Sequence, residues 1–131
     1  GVDIDYRFDG PPDGPVILLI MGLAQQLTFW PDDFVAALNG GGFRTLRFDN
    51  RDIGHSQKFE GRRAPNPMVQ LAARLAGMRG LAPYSLEDMA RDTIGLLDAL
   101  EIGKADVVGV SMGGMIAQVM AAKHPARVKG L

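Results

Sequence analysis

Ser111 stands in a sequence setting that could make it a nucleophile, with Gly109 two residues before it and Gly113 two residues after it. A sharp turn from a strand into a helix strains the serine backbone and pushes the hydroxyl outward. The neighbours must be small so that the strand and the helix can pass closely. The helix would direct its positive end and the backbone N–H of Met112 at an oxyanion forming beside Ser111. The motif therefore predicts a serine nucleophile next to an oxyanion-binding amide.

The elements that such a turn requires are predicted on both sides of Ser111. Residues 105–108 are rich in β-branched side chains, as expected of a buried parallel strand. Residues 114–123 are good helix formers, and His124 and Pro125 close the run. A dinucleotide-binding loop is rejected, because the Gly-x-Gly-x-x-Gly spacing is missing and the strand is not the first of its unit.

The rest of the chain predicts an α/β fold, with a mostly parallel sheet and helices on both faces. Alternating apolar and polar residues over 2–8 predict a half-buried antiparallel strand, and the apolar run 16–20 predicts a strand covered on both faces. A helix over 30–38, stopped by three glycines, leads to a strand over 43–48. Strand, helix and strand in this order make a right-handed parallel unit.

Residues 57–84 differ in composition from the rest, with arginines and prolines scattered through them. They are interpreted as an insertion or cap segment, with an ordinary long surface excursion as the alternative. After them, Ser85 and Asp88 have the spacing of a capping box. Apolar residues at helical spacing over 86–100 predict a helix that ends at Gly103.

Length and composition indicate a globular protein, with residues 1–131 forming one domain or part of one. Apolar residues make up 47% and charged residues 22%, as in ordinary soluble proteins. With a net charge of −1, the chain lacks the excess of basic residues that is typical of nucleic-acid-binding proteins. The lack of cysteine excludes disulfides and thiolate metal sites, and neither a metal nor a cofactor is expected. No apolar run has the length of a membrane span, so we expect a cytoplasmic protein without membrane contact.

Three segments together resemble the α/β-hydrolase superfamily. They are the strand and loop 20–23, the segment 47–56 that begins Arg-Phe-Asp-Asn-Arg-Asp, and the segment 108–115 around the serine. They are most similar to the branch that contains aclacinomycin-type methylesterases and related small-molecule esterases. The likeness runs over essentially the whole chain, but it covers only the N-terminal part of the family's domain.

The resemblance implies roles for individual residues. Ser111 would be the nucleophile, and the backbone N–H groups of Leu23 and Met112 would form the oxyanion hole. Many family members begin the first loop with His-Gly, whereas this chain has Met21-Gly22, which keeps the backbone donor. Apolar residues near the predicted site suggest an apolar acyl or alcohol group, although core packing explains the same side chains. The candidates for the substrate pocket are Gly22, Phe29 and Trp30.

A catalytic base is not evident in the sequence. In this family the acid and the histidine follow the nucleophile, yet no Asp or Glu lies in residues 112–131 and His124 is the only later histidine. His124 is thirteen residues along a helix from Ser111. That separation, about 20 Å, makes it a helix-end residue rather than the base. His55 follows a strand, but the resemblance implies a structural turn there.

The remaining acidic residues are given structural interpretations. Asp49, Asp52 and the neighbouring Arg51 are expected to make turn hydrogen bonds and ion pairs. Three further aspartates are interpreted as part of a solvated face. They are Asp92, Asp98 and Asp106.

The favoured interpretation is a serine hydrolase that acts on a small apolar ester through an acyl-enzyme. Its Asp and His are expected from a C-terminal part or a second polypeptide that completes the fold, so the 131 residues alone are expected to be inactive. Two alternatives stay open. One is a cofactor-free perhydrolase (haloperoxidase) or carbon–carbon hydrolase on the same fold, and the other is a non-catalytic scaffold.

Overall fold

The computed structural model describes residues 1–59 and 84–131. The interpretation of 57–84 as an insertion or cap segment therefore falls almost entirely outside the described residues. The described strands are β1 (Tyr6–Asp9), β2 (Val16–Ile20), β3 (Arg44–Phe48) and β4 (Asp106–Gly109). The described helices are α1 (Asp32–Gly40), α2 (Leu86–Ala99) and α3 (Met112–Lys123), with short 3-10 helices at Leu27–Phe29 and Pro125–Arg127.

The four strands form one sheet in the order β1-β3-β2-β4. β1 pairs antiparallel with β3, while β2 pairs parallel with both β3 and β4. This arrangement confirms the predicted α/β fold with its mostly parallel sheet. The strand predicted over 2–8 begins only at Tyr6, because Asp3 and Asp5 bond instead to the turn after β3. There the backbone N–H of Gln57 donates to the Asp3 carbonyl at 2.8 Å.

The core lies on both faces of the sheet, as predicted. Since successive strand residues point to opposite faces, Leu18 and Ile20 pack in one buried cluster and Ile17 and Leu19 in another. The first cluster also holds the buried faces of α2 and α3, and the second holds Val35 of α1. Both faces of β2 are therefore covered, which accounts for its uninterrupted apolar sequence.

The helix ends follow local hydrogen bonding. The predicted capping box at α2 is present, since the Asp88 N–H donates to Ser85 Oγ at 3.1 Å and the Ser85 N–H donates to Asp88 Oδ2 at 2.8 Å. α2 ends before the predicted Gly103, because Glu101 takes a left-handed φ of 56° and the Ile102 N–H bonds back to the helix. α3 begins at Met112, two residues earlier than predicted. No helix within the described ranges is long and apolar enough to cross a membrane.

Candidate active site

Ser111 occupies the turn between β4 and α3 in a strained backbone conformation. Its φ of 54° and ψ of −118° lie in a region that residues with a side chain rarely adopt. Such a conformation costs about 1–3 kcal/mol, which the surrounding structure must offset. Ser111 is exposed at the start of α3. The strained turn that the glycine pattern predicts is therefore present.

The glycines around Ser111 let three backbone segments touch. A Cβ on Gly113 would collide with the Ile20 carbonyl at the end of β2, and it would lie 2.8 Å from the Met21 oxygen. A Cβ on Gly109 would collide with the Gly113 carbonyl, whereas one on Gly114 would meet the Gly109 oxygen at 3.3 Å. Only glycine fits at 109 and 113, because backbone atoms cannot move aside as flexible side chains can.

The first turn of α3 supplies the amide predicted for the oxyanion hole. The N–H groups of Gly113 and Gly114 donate to the carbonyls of Val110 and Ser111, at 2.9 and 3.0 Å. In the part of the chain that the structure describes, the Met112 N–H donates to no backbone or side-chain acceptor. This amide lies at the positive end of the helix, beside Ser111, where an anion is stabilised.

The loop after β2, residues 21–27, runs alongside Ser111. It is called the oxyanion loop below, after the role that is predicted for its Leu23 amide. A Cβ on Gly22 would lie 3.4 Å from the Ser111 Cβ and 3.3 Å from the Val110 oxygen, so this position adjoins the nucleophile. The Gly22 carbonyl accepts a hydrogen bond from the Gln25 N–H at 3.4 Å. In a trans peptide the next N–H points the opposite way, so the Leu23 N–H faces away from that bond. It has no partner among the described residues.

Two buried side chains from the turn after β3 hold the ends of the oxyanion loop. The Leu27 N–H donates to Asp49 Oδ1 at 2.6 Å, and Asn50 Nδ2 donates to the Met21 carbonyl at 3.3 Å. The predicted turn hydrogen bond of Asp49 is also present, from the His55 N–H at 3.2 Å. The sequence analysis did not predict these two contacts to the loop. The signal for them was that two polar residues, Asp49 and Asn50, directly follow a strand that neighbours β2.

The sequence profile described as the alpha/beta hydrolase fold matches residues 15–131. The chain belongs to this family. Rhodomycin D methylesterase DauP from Streptomyces sp. (strain C5) is 33% identical over 118 residues, which are 90% of this chain and 33% of the relative. The similarity to methylesterases that the sequence motifs indicate is thereby confirmed.

Two further relatives have the same coverage pattern. The putative carbamate hydrolase RutD of Variovorax paradoxus (strain S110) is 33% identical over 128 residues, which are 98% of this chain and 40% of the relative. The crystal structure of the enol-lactonase from Burkholderia xenovorans LB400 superposes with a TM-score of 0.75 at 32% identity, covering 97% of this chain and 41% of that one. This α/β-hydrolase chain thus spans a third to two fifths of its relatives' length.

Arg51 forms a two-point ion pair with Asp92 on α2. Its Nε and Nη2 atoms lie 2.6 and 2.7 Å from the two carboxylate oxygens, and the side chains are only 11% and 13% exposed. The expected ion pairing of Arg51 is confirmed, but the solvated-face interpretation is wrong for Asp92. Its position on α2 brings it under the turn after β3, where the guanidinium replaces water. Asp98 does lie on the exposed side of α2, paired with Arg127.

Aromatic rings flank the Arg51 guanidinium. It lies 5.0 Å from the centre of the Phe59 ring and 4.9 Å from that of Tyr84. The hydrogen bond to Asp92 raises the pKa of Arg51. Burial, followed by a hydrogen bond to Asp52, raises the pKa of Tyr84 to about 12, so its hydroxyl stays protonated at neutral pH. These contacts fix the turn after β3 onto α2.

The three residues predicted for the substrate pocket occupy different surroundings. Gly22 adjoins Ser111, and Phe29 is 59% exposed on the 3-10 helix after the oxyanion loop. Trp30 is buried against the sheet and stacks on Phe34, with ring centres 5.5 Å apart. It precedes α1, which begins at Asp32, so the prediction that the helix starts at residue 30 is wrong. Core packing accounts for this ring, and a contact with substrate stays a prediction.

Neither histidine of the chain makes a hydrogen bond with Ser111 among the described residues. His55 is exposed in the turn after β3, and its backbone N–H donates to Asp49. His124 lies beyond the opposite end of α3, where its N–H donates to the Met120 carbonyl at 2.7 Å. The twelve residues of α3 separate it from Ser111, a rise of roughly 18 Å. Within residues 1–59 and 84–131, no group of three His, Asp or Glu side chains could hold a metal ion.

Proposed function

We propose that this chain carries the nucleophile and the oxyanion hole of a serine hydrolase for small carboxylic esters. The observation that carries the proposal is the strained, exposed Ser111 at the start of α3, adjacent to Gly22. The Met112 and Leu23 amides, which have no partner in the described residues, are the donors that an oxyanion needs. A backbone held in so unfavourable a conformation is a mark of function.

In the proposed reaction, Ser111 Oγ attacks the ester carbonyl carbon while its proton passes to a general base. The carbonyl π electrons move to oxygen, and the Leu23 and Met112 N–H groups stabilise the resulting oxyanion. Collapse of the tetrahedral intermediate breaks the bond to the alcohol, which leaves with the proton. Water then attacks the acyl-enzyme by the same route and releases the acid.

The general base in this proposal comes from outside the 131 residues. The chain has two histidines; neither bonds to Ser111 in the described structure, and His124 lies beyond the far end of α3. We therefore assign the Asp and His to a C-terminal part or a second polypeptide, and we expect residues 1–131 alone not to turn over esters. The relatives, which are longer than this chain, support this assignment.

An apolar ester fits the surface beside the nucleophile. Three large apolar residues stay exposed there. They are Leu23 on the oxyanion loop, Val110 immediately before Ser111, and Met115 on the first turn of α3. Exposed apolar side chains around a polar reacting group favour an apolar acyl or alcohol moiety. The named methylesterase and enol-lactonase relatives support an ester bond as the one that is cleaved.

The test uses the naturally occurring polypeptide that carries this chain. A fluorophosphonate should label Ser111, as located by peptide mass spectrometry, and short-chain p-nitrophenyl esters should be hydrolysed. Ser111→Ala should abolish labelling and lower kcat by about 10⁴-fold or more. Ser85→Ala is the matched control, since this serine begins α2 and should leave both readouts unchanged.

Three other outcomes would contradict parts of the proposal. Absence of labelling in the complete polypeptide would favour the non-catalytic scaffold. Labelling of Ser111 without ester hydrolysis would favour the perhydrolase or carbon–carbon hydrolase chemistry, to be assayed with peroxide and with diketone substrates. Ester turnover by residues 1–131 alone would overturn the assignment of the base to another segment.

A further inference from the structure

The two candidate oxyanion donors are held in place by different means. The Met112 amide belongs to α3, whose position is fixed by backbone packing at Gly113. The Leu23 amide belongs to the oxyanion loop. Within residues 21–25 of this loop, the described backbone hydrogen bonds include only one, from the Gln25 N–H to the Gly22 carbonyl at 3.4 Å. Its remaining support comes from Asp49 and Asn50, which bond to Leu27 and Met21 at its two ends.

Asp49 and Asn50 are buried, and further hydrogen bonds hold the turn that carries them. Asp49 is 2% exposed and Asn50 3% exposed, so loss of either contact leaves a buried polar group without a partner. Ser56 Oγ donates to the Asp49 carbonyl at 2.6 Å, and the Ser56 N–H closes a turn on Ile53. The neighbouring Arg51 ties the same turn to α2.

We propose that Asp49 and Asn50 are positioning residues that set the Leu23 N–H relative to Ser111. The proposal rests on the proposed oxyanion role of Leu23. An oxyanion donor is effective only within about 2.7–3.1 Å of the developing charge. Asn50 fixes the Met21 carbonyl, one peptide before the Gly22–Leu23 peptide, while Asp49 fixes the far end of the loop at Leu27. The side chains touch neither substrate nor nucleophile; they act through the loop backbone.

The experiment compares three test variants and two controls in the naturally occurring polypeptide. Asn50→Ala removes the donor to Met21, and Asn50→Asp replaces it with an oxygen of nearly the same shape that cannot donate. The matched control is Asn39→Ala, an asparagine at the end of α1 whose side chain accepts from Thr45. Asp49→Asn places an amide NH₂ group against the backbone N–H of either Leu27 or His55, so one of these two hydrogen bonds is lost. Asp52→Asn makes the same chemical change in the same turn and is the control.

Activity is expressed per reactive serine, counted by fluorophosphonate titration. We expect kcat per titrated serine to fall on the order of 10- to 100-fold in both Asn50 variants and in Asp49→Asn. KM should change little, and a trifluoromethyl ketone, which forms the same oxyanion on Ser111, should bind more weakly by a similar factor. The two controls should match the wild type.

A purely structural role would have a different signature. It would lower the melting temperature and the titrated fraction while leaving kcat per titrated serine at the wild-type value, and that result would overturn the proposal. If one test variant fails to fold, the remaining test variants still provide kcat per titrated serine relative to the wild type, and so still test the proposal. Absence of labelling in the wild type would instead overturn the proposed function, and this inference with it.

Discussion

The turns that follow β3 and β4 reach the same edge of the sheet, but they are built in opposite ways. After β4, Gly109 and Gly113 hold the turn through backbone packing, and Ser111, the polar side chain of residues 109–113, makes no capping hydrogen bond. After β3, polar side chains from Asp49 to Ser56 reach the oxyanion loop, the residue just before β1, and α2. One turn is specified by the absence of side chains and the other by their hydrogen bonds.

This difference separates two tasks of the candidate active site. Backbone packing tolerates no displacement, so it suits the turn that presents the proposed nucleophile. Side-chain hydrogen bonds connect segments that are distant in sequence, so they suit a turn that must hold three neighbours at once. The two turns should therefore respond differently to added volume and to lost polar groups.

Gly113→Ala should have the largest effect on stability. Its methyl group would collide with the Ile20 carbonyl, and the backbone atoms that it meets cannot move aside. We expect a loss of about 4 kcal/mol or more in the free energy of unfolding, at the upper end for overpacking. The measurement is urea denaturation of the naturally occurring polypeptide.

The matched control for Gly113→Ala is Gly114→Ala. Its Cβ would meet the Gly109 oxygen at 3.3 Å, and alanine is the better helix former by about 1 kcal/mol. We expect stability near that of the wild type. Equal losses in the two variants would show that the contact of Gly113 with β2 does not decide the result.

Asp92→Ala tests the turn after β3. It leaves the buried Arg51 guanidinium without its carboxylate, and breaking such a pair costs about 3 kcal/mol. The ring contacts of Phe59 and Tyr84 remain, so the loss should stay below that of Gly113→Ala. Thermal and urea unfolding would measure it, with Asp98→Ala as the exposed control on the same helix. A loss below about 0.5 kcal/mol would contradict the view that side-chain contacts hold this turn.

Asp88→Asn should have the smallest effect, and it depends on pH. Hydrogen bonds from the Ser85 backbone and side chain lower the pKa of Asp88, so its folded pKa lies below the unfolded one. The charged carboxylate thus stabilises the protein above the unfolded pKa, and this contribution is lost as the pH falls through the folded pKa. We expect the variant to be less stable by about 0.5 kcal/mol at pH 7.

The pH dependence provides the check on this prediction. Stability of wild type and Asp88→Asn should converge as the pH falls below the ordinary aspartate value of 3.8. Asp92 of α2 pairs with Arg51 in the turn after β3. The stability difference between wild type and Asp88→Asn therefore also shows how far the capped start of α2 supports that turn. A difference that persists unchanged at low pH would mean that the charge of Asp88 is not its source.

The sequence was sufficient for the features that depend on local spacing. Gly109 and Gly113 predict the strained turn, Ser85 and Asp88 predict the capping box, and the apolar run of β2 predicts a strand covered on both faces. Each of these is determined within a few residues, by sterics or by a helix end.

Contacts between distant segments were not predictable in the same way. Asp92 has the spacing of a solvated helix face, and only the packing of α2 on the sheet brings it to Arg51, 41 residues earlier. Asn50 and Met21 are also distant in sequence. They meet because they directly follow β3 and β2, which are parallel neighbours in the sheet. Trp30 has the spacing of a helical residue, but Pro31 delays the start of α1 to Asp32.

Trp30 gives the chain an intrinsic fluorescent reporter, since it is the single tryptophan. It is buried in the same cluster as Met21, the first residue of the oxyanion loop, and its indole N–H has no acceptor among the described residues. An indole in such a dry environment emits at shorter wavelength than one in contact with water. Water that entered beneath the loop would find an open donor and move the emission to the red. Loosening of the loop can therefore be followed optically, in real time and without a label.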